Sequence, residues 1–323
     1  MHPTLTRVLG FLAAFGMVAN VLAQAPRVVL VAGASKESGK PFMERLRRGM
    51  AENGQKEGIT FQLEVLYADR DTTRVPRLIH EAVESRPAVI VVGGLLAAQQ
   101  ARDATRTIPI VVATSSDLVD AGVVKSYSRP GGNITGLNDL ADELAVKRIE
   151  LLHEALPKAS RVALLLNPQF PATTKIERRI RAAADALSVS VTRLDAADAP
   201  SLLRALDSLE KSPPDALLAG GDSLQVQMAP EIIQRMSSMR VPVIHFWPGT
   251  AEAGALISHQ ADVLHNYQRA AYYVNRILKG AKPGDLPIEQ PTRYELVVNK
   301  KTASALNLAI PRSILLRADR VIE

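Results

Sequence analysis

The chain has 323 residues, with 39 lysines and arginines against 33 aspartates and glutamates, a net charge of +6, and no cysteine. The lack of thiols excludes a disulfide framework, a thiolate metal site, a thiol nucleophile and a lipidated cysteine at a processed amino terminus. Basic residues are scattered and aromatics make up 4% of the chain, which leaves neither a basic stripe nor a stacking platform for nucleic acid.

Met1–Ala23 carries Arg7 as its one formal charge, runs apolar from Val8 to Met17 and ends Val21-Leu22-Ala23. This is the pattern of a secretory signal peptide, too short in its apolar part to span a bilayer comfortably, with cleavage expected after Ala23. Export without a lipid anchor points to a periplasm. No later stretch is apolar enough to cross a membrane, so a membrane partner must be met by docking. The remaining chain of about 300 residues exceeds what one hydrophobic core organises, and predicts two lobes.

Arg27–Val31 reads as a buried parallel strand, and the glycines and lysine that follow invite a phosphate-loop reading. That reading fails: Gly33 and Gly39 are separated by five residues instead of four, and Pro41 follows Lys40 where a hydroxyl residue would hold magnesium. Phe42–Asn53 and Val75–Ser85 have helical patterns. Ala88–Val92 is a strand, Gly93-Gly94 a turn, and a helix is expected from about Leu95. Ile108–Ala113 is a β-branched run that stops in Thr114-Ser115-Ser116-Asp117, a candidate ligand site at a strand end or a helix N-cap. Arg129-Pro130-Gly131-Gly132-Asn133 supplies permissive backbone before Ile134-Thr135-Gly136 resumes as a strand, the expected crossing between lobes.

The second half repeats the first. Arg161–Leu165 answers to Arg27–Val31, Ala216–Gly221 to Ala88–Gly94, Val241–Val243 to Ile108–Ile110, and Glu252–Leu256 to Asp120–Val124, each at an offset of about 130 residues. Helical patterns at Lys175–Leu187, Ser201–Lys211 and Pro230–Met239 alternate with these strands. The predicted fold is α/β, with two doubly wound parallel-sheet lobes joined by a hinge as a clamshell. Leu264–Lys279 reads as a further helix, Lys282–Pro287 as a loop and Tyr294–Val298 as a final strand. The expected organisation is a signal peptide at 1–23, an amino-terminal lobe at 24–135 with part of 260–290 packing back on it, and a carboxy-terminal lobe at 136–259 with part of 291–323 crossing back to it.

His80, His153, His245, His259 and His265 have no metal-binding spacing, no serine sits in a nucleophile elbow, and no dinucleotide fingerprint follows a strand. No catalytic residue, metal or cofactor is therefore expected. Polar groups do recur at strand ends in both halves: Ser35, Gly93, Gly94, Thr114, Ser115 and Asp117 in the first, and Asn167, Phe170, Asp222, Ser223, Phe246 and Trp247 in the second. Each alone is a cap or loop residue as readily as a ligand contact. Facing one another across a cleft, they would suit a small polar solute. Free N–H groups at Gly93-Gly94, with the Thr114 and Ser115 hydroxyls, would take a carboxylate; Asp222 would accept from an ammonium or cap the following helix; Phe246 and Trp247 would cover an apolar or planar part.

Arg129–Gly136, Lys147–Glu154, Asn167-Pro168, Ile277–Pro283, Leu286–Asn299, Thr302–Pro311 and Arg317–Glu323 together resemble the ABC-transporter substrate-binding protein family, in its tryptophan-binding-like branch of type I periplasmic binding proteins. The resemblance spans essentially the whole processed chain. It implies a two-lobed protein that holds a small-molecule solute between its lobes and docks on an inner-membrane permease with its cytoplasmic ATPase; a monomer is expected. The family commonly has an asparagine where this chain has Phe170, and often a smaller or tyrosine-bearing strand end at His245-Phe246-Trp247, so the solute is not carried over with the fold. A sensory ligand-binding protein and a periplasmic enzyme using the same cleft are the alternatives.

Overall fold

The computed structural model describes residues 25–323 apart from Arg70, Leu140, Pro171, Gly221 and Pro248. The expected leader and its cleavage site lie outside the described residues. Five strands, β1 (Arg27–Ala32), β2 (Gln62–Tyr67), β3 (Val89–Gly93), β4 (Ile110–Thr114) and β5 (Ile134–Gly136), form a parallel sheet in the order β2-β1-β3-β4-β5. Helices α1 (Lys36–Glu52), α2 (Val75–Glu84) and α3 (Leu95–Ala104) make the crossovers. Side chains alternate along each strand. Val28 and Leu30 therefore pack with Met43, Leu46 and Met50 of α1 on one face, while Val29 and Val31 pack with Leu78 and Ile79 of α2 on the other. Strands apolar on both faces need helices on both, at about 1.5–3 kcal/mol for each large side chain fully buried.

The chain continues through α4 (Ala141–Ala155), β6 (Arg161–Leu166), α5 (Thr173–Ala186), β7 (Ser190–Asp195), α6 (Ala199–Asp207), β8 (Ala216–Ala219), α7 (Ser223–Gln227) and α8 (Ala229–Ser238). Then come β9 (Val243–His245), α9 (Gly249–Glu252), β10 (Ile257–Ala261), α10 (Val263–Leu278), β11 (Tyr294–Asn299), α11 (Lys300–Ala305), α12 (Arg312–Arg317) and β12 (Arg320–Ile322). The second sheet has the order β12-β11-β10-β9-β8-β6-β7. Its β7-β6-β8-β9-β10 portion repeats the order of the first sheet, as the internal repeat requires. β11 joins β10 antiparallel, and β12 joins β11 parallel. Tyr294–Val298 is thus not the final strand; the short Arg320–Ile322 segment follows it.

Two boundaries differ from expectation. The first helix begins at Lys36, not Phe42, because Ser35 and Ser38 form a reciprocal capping box. The Arg129–Asn133 turn lies within the first half, since β5 pairs with β4; the chain leaves that sheet after Gly136. Leu137 and Asn138 then meet the returning tail, where Asn138 N donates to Glu289 O at 2.8 Å and Glu289 N to Gly136 O at 3.0 Å. Helix α10 leaves the second sheet and packs on α1, adding Tyr267, Ala270, Ala271 and Val274 to the apolar cluster under the first sheet. The two helices approach this closely because Gly49 has no side chain: a Cβ there would lie 2.1 Å from Gln268 O and 2.7 Å from Ala271 Cβ.

Candidate functional site

In open parallel sheets, ligands bind beyond the carboxyl ends of strands where the strand order reverses. That point lies between β1 and β3 in the first sheet and between β6 and β8 in the second. Ser35 follows β1 and Gly94 follows β3; Asn167 follows β6 and Asp222 follows β8.

A circuit of contacts, closed by one electrostatic interaction, runs between the two sheets through Gly93, Gly94 and Thr114 on the first side and Phe246 and Trp247 on the second; Ser35, Asn167 and Asp222 are not part of it. A Cβ at Gly93 would lie 2.5 Å from Tyr267 Oη. The Tyr267 ring centroid is 5.1 Å from that of Phe42, and Phe42 is 5.9 Å from Trp247. Trp247 meets Phe246 edge-on at 6.5 Å, and the Arg148 guanidinium stands 5.9 Å above the Phe246 ring. Arg148 feels the charge of Asp139. The Asp139 carboxylate accepts from Thr114 Oγ1 at 3.3 Å, and Thr114 O accepts from Gly94 N at 2.7 Å. The circuit carries aromatic faces, a cation, an acid and hydroxyls drawn from both sheets.

On the first-sheet side, Ser35 caps α1 with its hydroxyl. Gly94 has φ +91°, a conformation that glycine adopts without strain, and it begins α3 with no side-chain cap. Its own N–H is spent on Thr114, which corrects the expectation of a free amide there. Ser115 is buried and its Oγ has no partner among the described residues. Asp117 accepts from Val119 N and Asp120 N at 2.9 and 3.0 Å, so it caps a turn; it also stands 4.0 Å from Lys175 Nζ of α5.

On the second-sheet side, Asn167 Oδ1 accepts from Gln169 N at 2.9 Å, and Phe170 packs on the apolar cluster of its own lobe. Asp222 is buried and caps α7, with Oδ1 accepting from Gln225 N at 2.9 Å. Its Oδ2 has no hydrogen-bond partner among the described residues. Burial pushes the carboxyl pKa up, against the opposing pull of the Gln225 amide and the nearby Asn167 side chain. The Ser223 side chain lies outside the described residues.

His245 is fully buried and stacks on Phe246 at 4.8 Å. Its Nδ1 accepts from Trp247 N at 3.0 Å, which places the ring proton on Nε2. Burial, and then Arg148, hold its pKa down at about 3, so the ring is neutral. Burial raises the Tyr267 phenol to about 12 and keeps it a donor. Arg148 donates Nε–H to His259 O at 2.9 Å, and burial lowers its pKa to about 10, still charged at neutral pH.

Sequence reasoning does not single out Phe42, Asp139, Arg148, His245 or Tyr267 as site residues. Arg148 and Tyr267 lie inside helices, away from any strand end, and a helical arginine or tyrosine carries no local sign of facing a cleft. Two shallow surface depressions lie elsewhere, one along Thr174, Arg178 and Arg181 and one by Arg102, Pro130 and Asn133; neither involves the circuit.

The family described as ABC transporter substrate binding protein matches residues 29–322. A tyrosine-binding protein of Clostridioides difficile (strain R20291) is 25% identical over 288 residues, covering 85% of this chain and 80% of that one. The structure of an ABC domain from Streptococcus pneumonia in complex with L-Trp superposes with a TM-score of 0.85 at 23% identity, covering 92% of this chain and 100% of that one. A carbohydrate transporter solute-binding protein from Agrobacterium radiobacter, in complex with D-arabinose, has a TM-score of 0.62 at 15% identity, covering 88% and 99%. No described helix is long and apolar enough to cross a membrane.

Proposed function

Since the chain belongs to the ABC transporter substrate-binding protein family, we propose that it is the periplasmic, non-enzymatic solute-binding component of an importer. It holds a small amino acid or related carboxylate between its lobes and presents it to an inner-membrane permease. The observation that carries this reading is the circuit from Gly93 through Trp247 and Arg148 back to Thr114, which sets aromatic surface beside groups of both charges. Such a lining suits a zwitterion with an apolar or planar side chain. In this pose Oδ2 of Asp222 accepts from the solute's donors, and Phe246 and Trp247 cover its planar part. The relatives whose names specify tyrosine and L-Trp support the same class.

Native mass spectrometry of freshly purified protein, followed by calorimetric titration with amino acids and with pentoses, tests the proposal. An amino acid carried through purification, or bound with micromolar or tighter affinity, is the expected result. A pentose bound in its place would overturn the solute class, and turnover of any bound molecule would overturn the non-enzymatic role. The intact mass of the exported chain should begin at Gln24 and carry no acyl group.

A further inference from the structure

Arg148 is an arginine whose environment fits a ligand better than it fits the protein. It sits in the middle of α4, is 4% exposed, and directs its guanidinium to His259 O in the middle of β10 and to the Phe246 ring just beyond β9. A buried charge is retained where it is paired. Here Nε–H is satisfied by His259 O, while the two terminal nitrogens have no hydrogen-bond partner among the described residues. The acid that acts on it, Asp139, does so through its charge. The Phe246 ring lies within cation–π reach of the guanidinium, 5.9 Å from its central carbon.

We propose that Arg148 is the specificity-determining residue of the cleft and binds the solute's carboxylate through its terminal nitrogens. The assignment rests on the amino-acid reading above. With Nε spent on a carbonyl, the end formed by the two terminal nitrogens remains, and its paired N–H groups match the two oxygens of one carboxylate. Asp139 already opposes the Arg148 charge, so a singly charged carboxylate adds less buried negative charge than a phosphate dianion would. This moves the carboxylate from Gly93-Gly94, where the Gly94 amide is already bonded, to the opposite lobe. It also brings the solute's planar part near Phe246 and Trp247.

The test compares L-tyrosine and L-tryptophan with their carboxamides, which keep the ammonium and ring and lose the carboxylate charge. Calorimetric titration of the full secreted chain should show each acid bound about ten- to a hundredfold more tightly than its amide. Arg148→Met keeps apolar contact with Phe246 but lacks the fork, and should bring acid and amide within about threefold, with amide affinity little changed. Arg148→Gln, which can still donate to His259 O, serves the same purpose if Arg148→Met fails to fold. A co-crystal of the wild type with L-tyrosine should place the carboxylate on the terminal nitrogens. Persistence of the wild-type acid preference in a folded variant would overturn the assignment while leaving the solute class intact. Equal loss for acid and amide would reduce Arg148 to a positioning residue. A wild type that binds neither acids nor amides would overturn the amino-acid reading itself, a result separable from the other two.

Discussion

Trp247 leaves the second sheet at the end of β9, yet its indole lies 5.9 Å from the Phe42 ring of α1, within the apolar cluster under the first sheet. The chain's one tryptophan therefore has its backbone in one lobe and its side-chain environment in the other. Hinge closure on a ligand is a known mode of periplasmic binding proteins. Any rotation of the lobes must alter this packing, so saturating solute should shift the Trp247 emission. Phe42→Ala should abolish most of the shift and cost about 0.5–1.5 kcal/mol for the lost ring pair, beyond the area exposed. An emission spectrum unchanged at saturation would rule out relative movement at this contact.

The two oxygens of Asp222 have different surroundings. Oδ1 caps α7, while Oδ2 is buried without a hydrogen-bond partner among the described residues, near the Asn167 side chain. Asp222→Asn retains the cap acceptor and should fold normally, whereas Asp222→Ala should lose about 0.5–2 kcal/mol. Because the folded-state pKa is raised, ionisation at neutral pH works against folding, and the Asn variant also removes that cost. Both variants should weaken an ammonium-bearing solute about tenfold or more. Wild-type affinity in Asp222→Asn would leave the residue as a helix cap.

His245 makes stability dependent on pH. Its folded-state value of about 3 lies below the ordinary 6.5, so on acidification the unfolded chain takes up a proton that the folded one refuses. The stabilising contribution is complete above pH 6.5 and is lost as pH falls from there toward 3, at about 1.4 kcal/mol per unit. His259, lowered to about 4 chiefly by burial, adds the same sign. Urea unfolding at about pH 7 and about pH 5 should show the loss, and His245→Asn, whose side-chain oxygen can accept from Trp247 N, should reduce the slope. An unchanged slope would mean that the imidazole takes up its proton equally in the folded and unfolded chains.

Lys175 at the start of α5 forms an ion pair with Asp120 beyond β4, and Asp117 stands 4.0 Å away. The pair spans the two lobes at a half-exposed position, where such contacts are worth about 0–1 kcal/mol. Asp120→Lys should therefore weaken solute binding by no more than about fivefold, and the difference should shrink as salt is raised. Small-angle scattering of the same variant should show a more extended ligand-free form. Salt-independent, wild-type affinity would remove the pair from any account of closure.

The packing of α10 onto α1 should be intolerant of volume at Gly49, where backbone and not a flexible side chain fills the space. Gly49→Leu should cost at least about 1–3 kcal/mol by overpacking and lower the thermal midpoint. A wild-type midpoint would mean that the helices separate without cost.

The doubly wound halves are legible in the chain alone. Hydrophobic runs such as Val28–Val31 of β1 and Val162–Leu166 of β6 are local signals, repeated at a near-constant offset, and strand alternation with helices leaves few topologies. The strand-end residues Ser35, Gly94, Asn167 and Asp222 are legible for the same reason, because glycine turns and capping side chains are likewise local. Which of these groups stay available is settled by long-range packing. Gly94 spends its amide on Thr114 of the neighbouring strand, and Asp117 becomes a turn cap beside Lys175. Arg148, Asp139 and Tyr267 join the circuit from helix interiors and a crossing, on surfaces whose orientation is fixed by what they pack against. Burial does the rest: it separates the Asp222 and His245 pKa values from their ordinary ones, and it depends on the whole fold and on no local spacing.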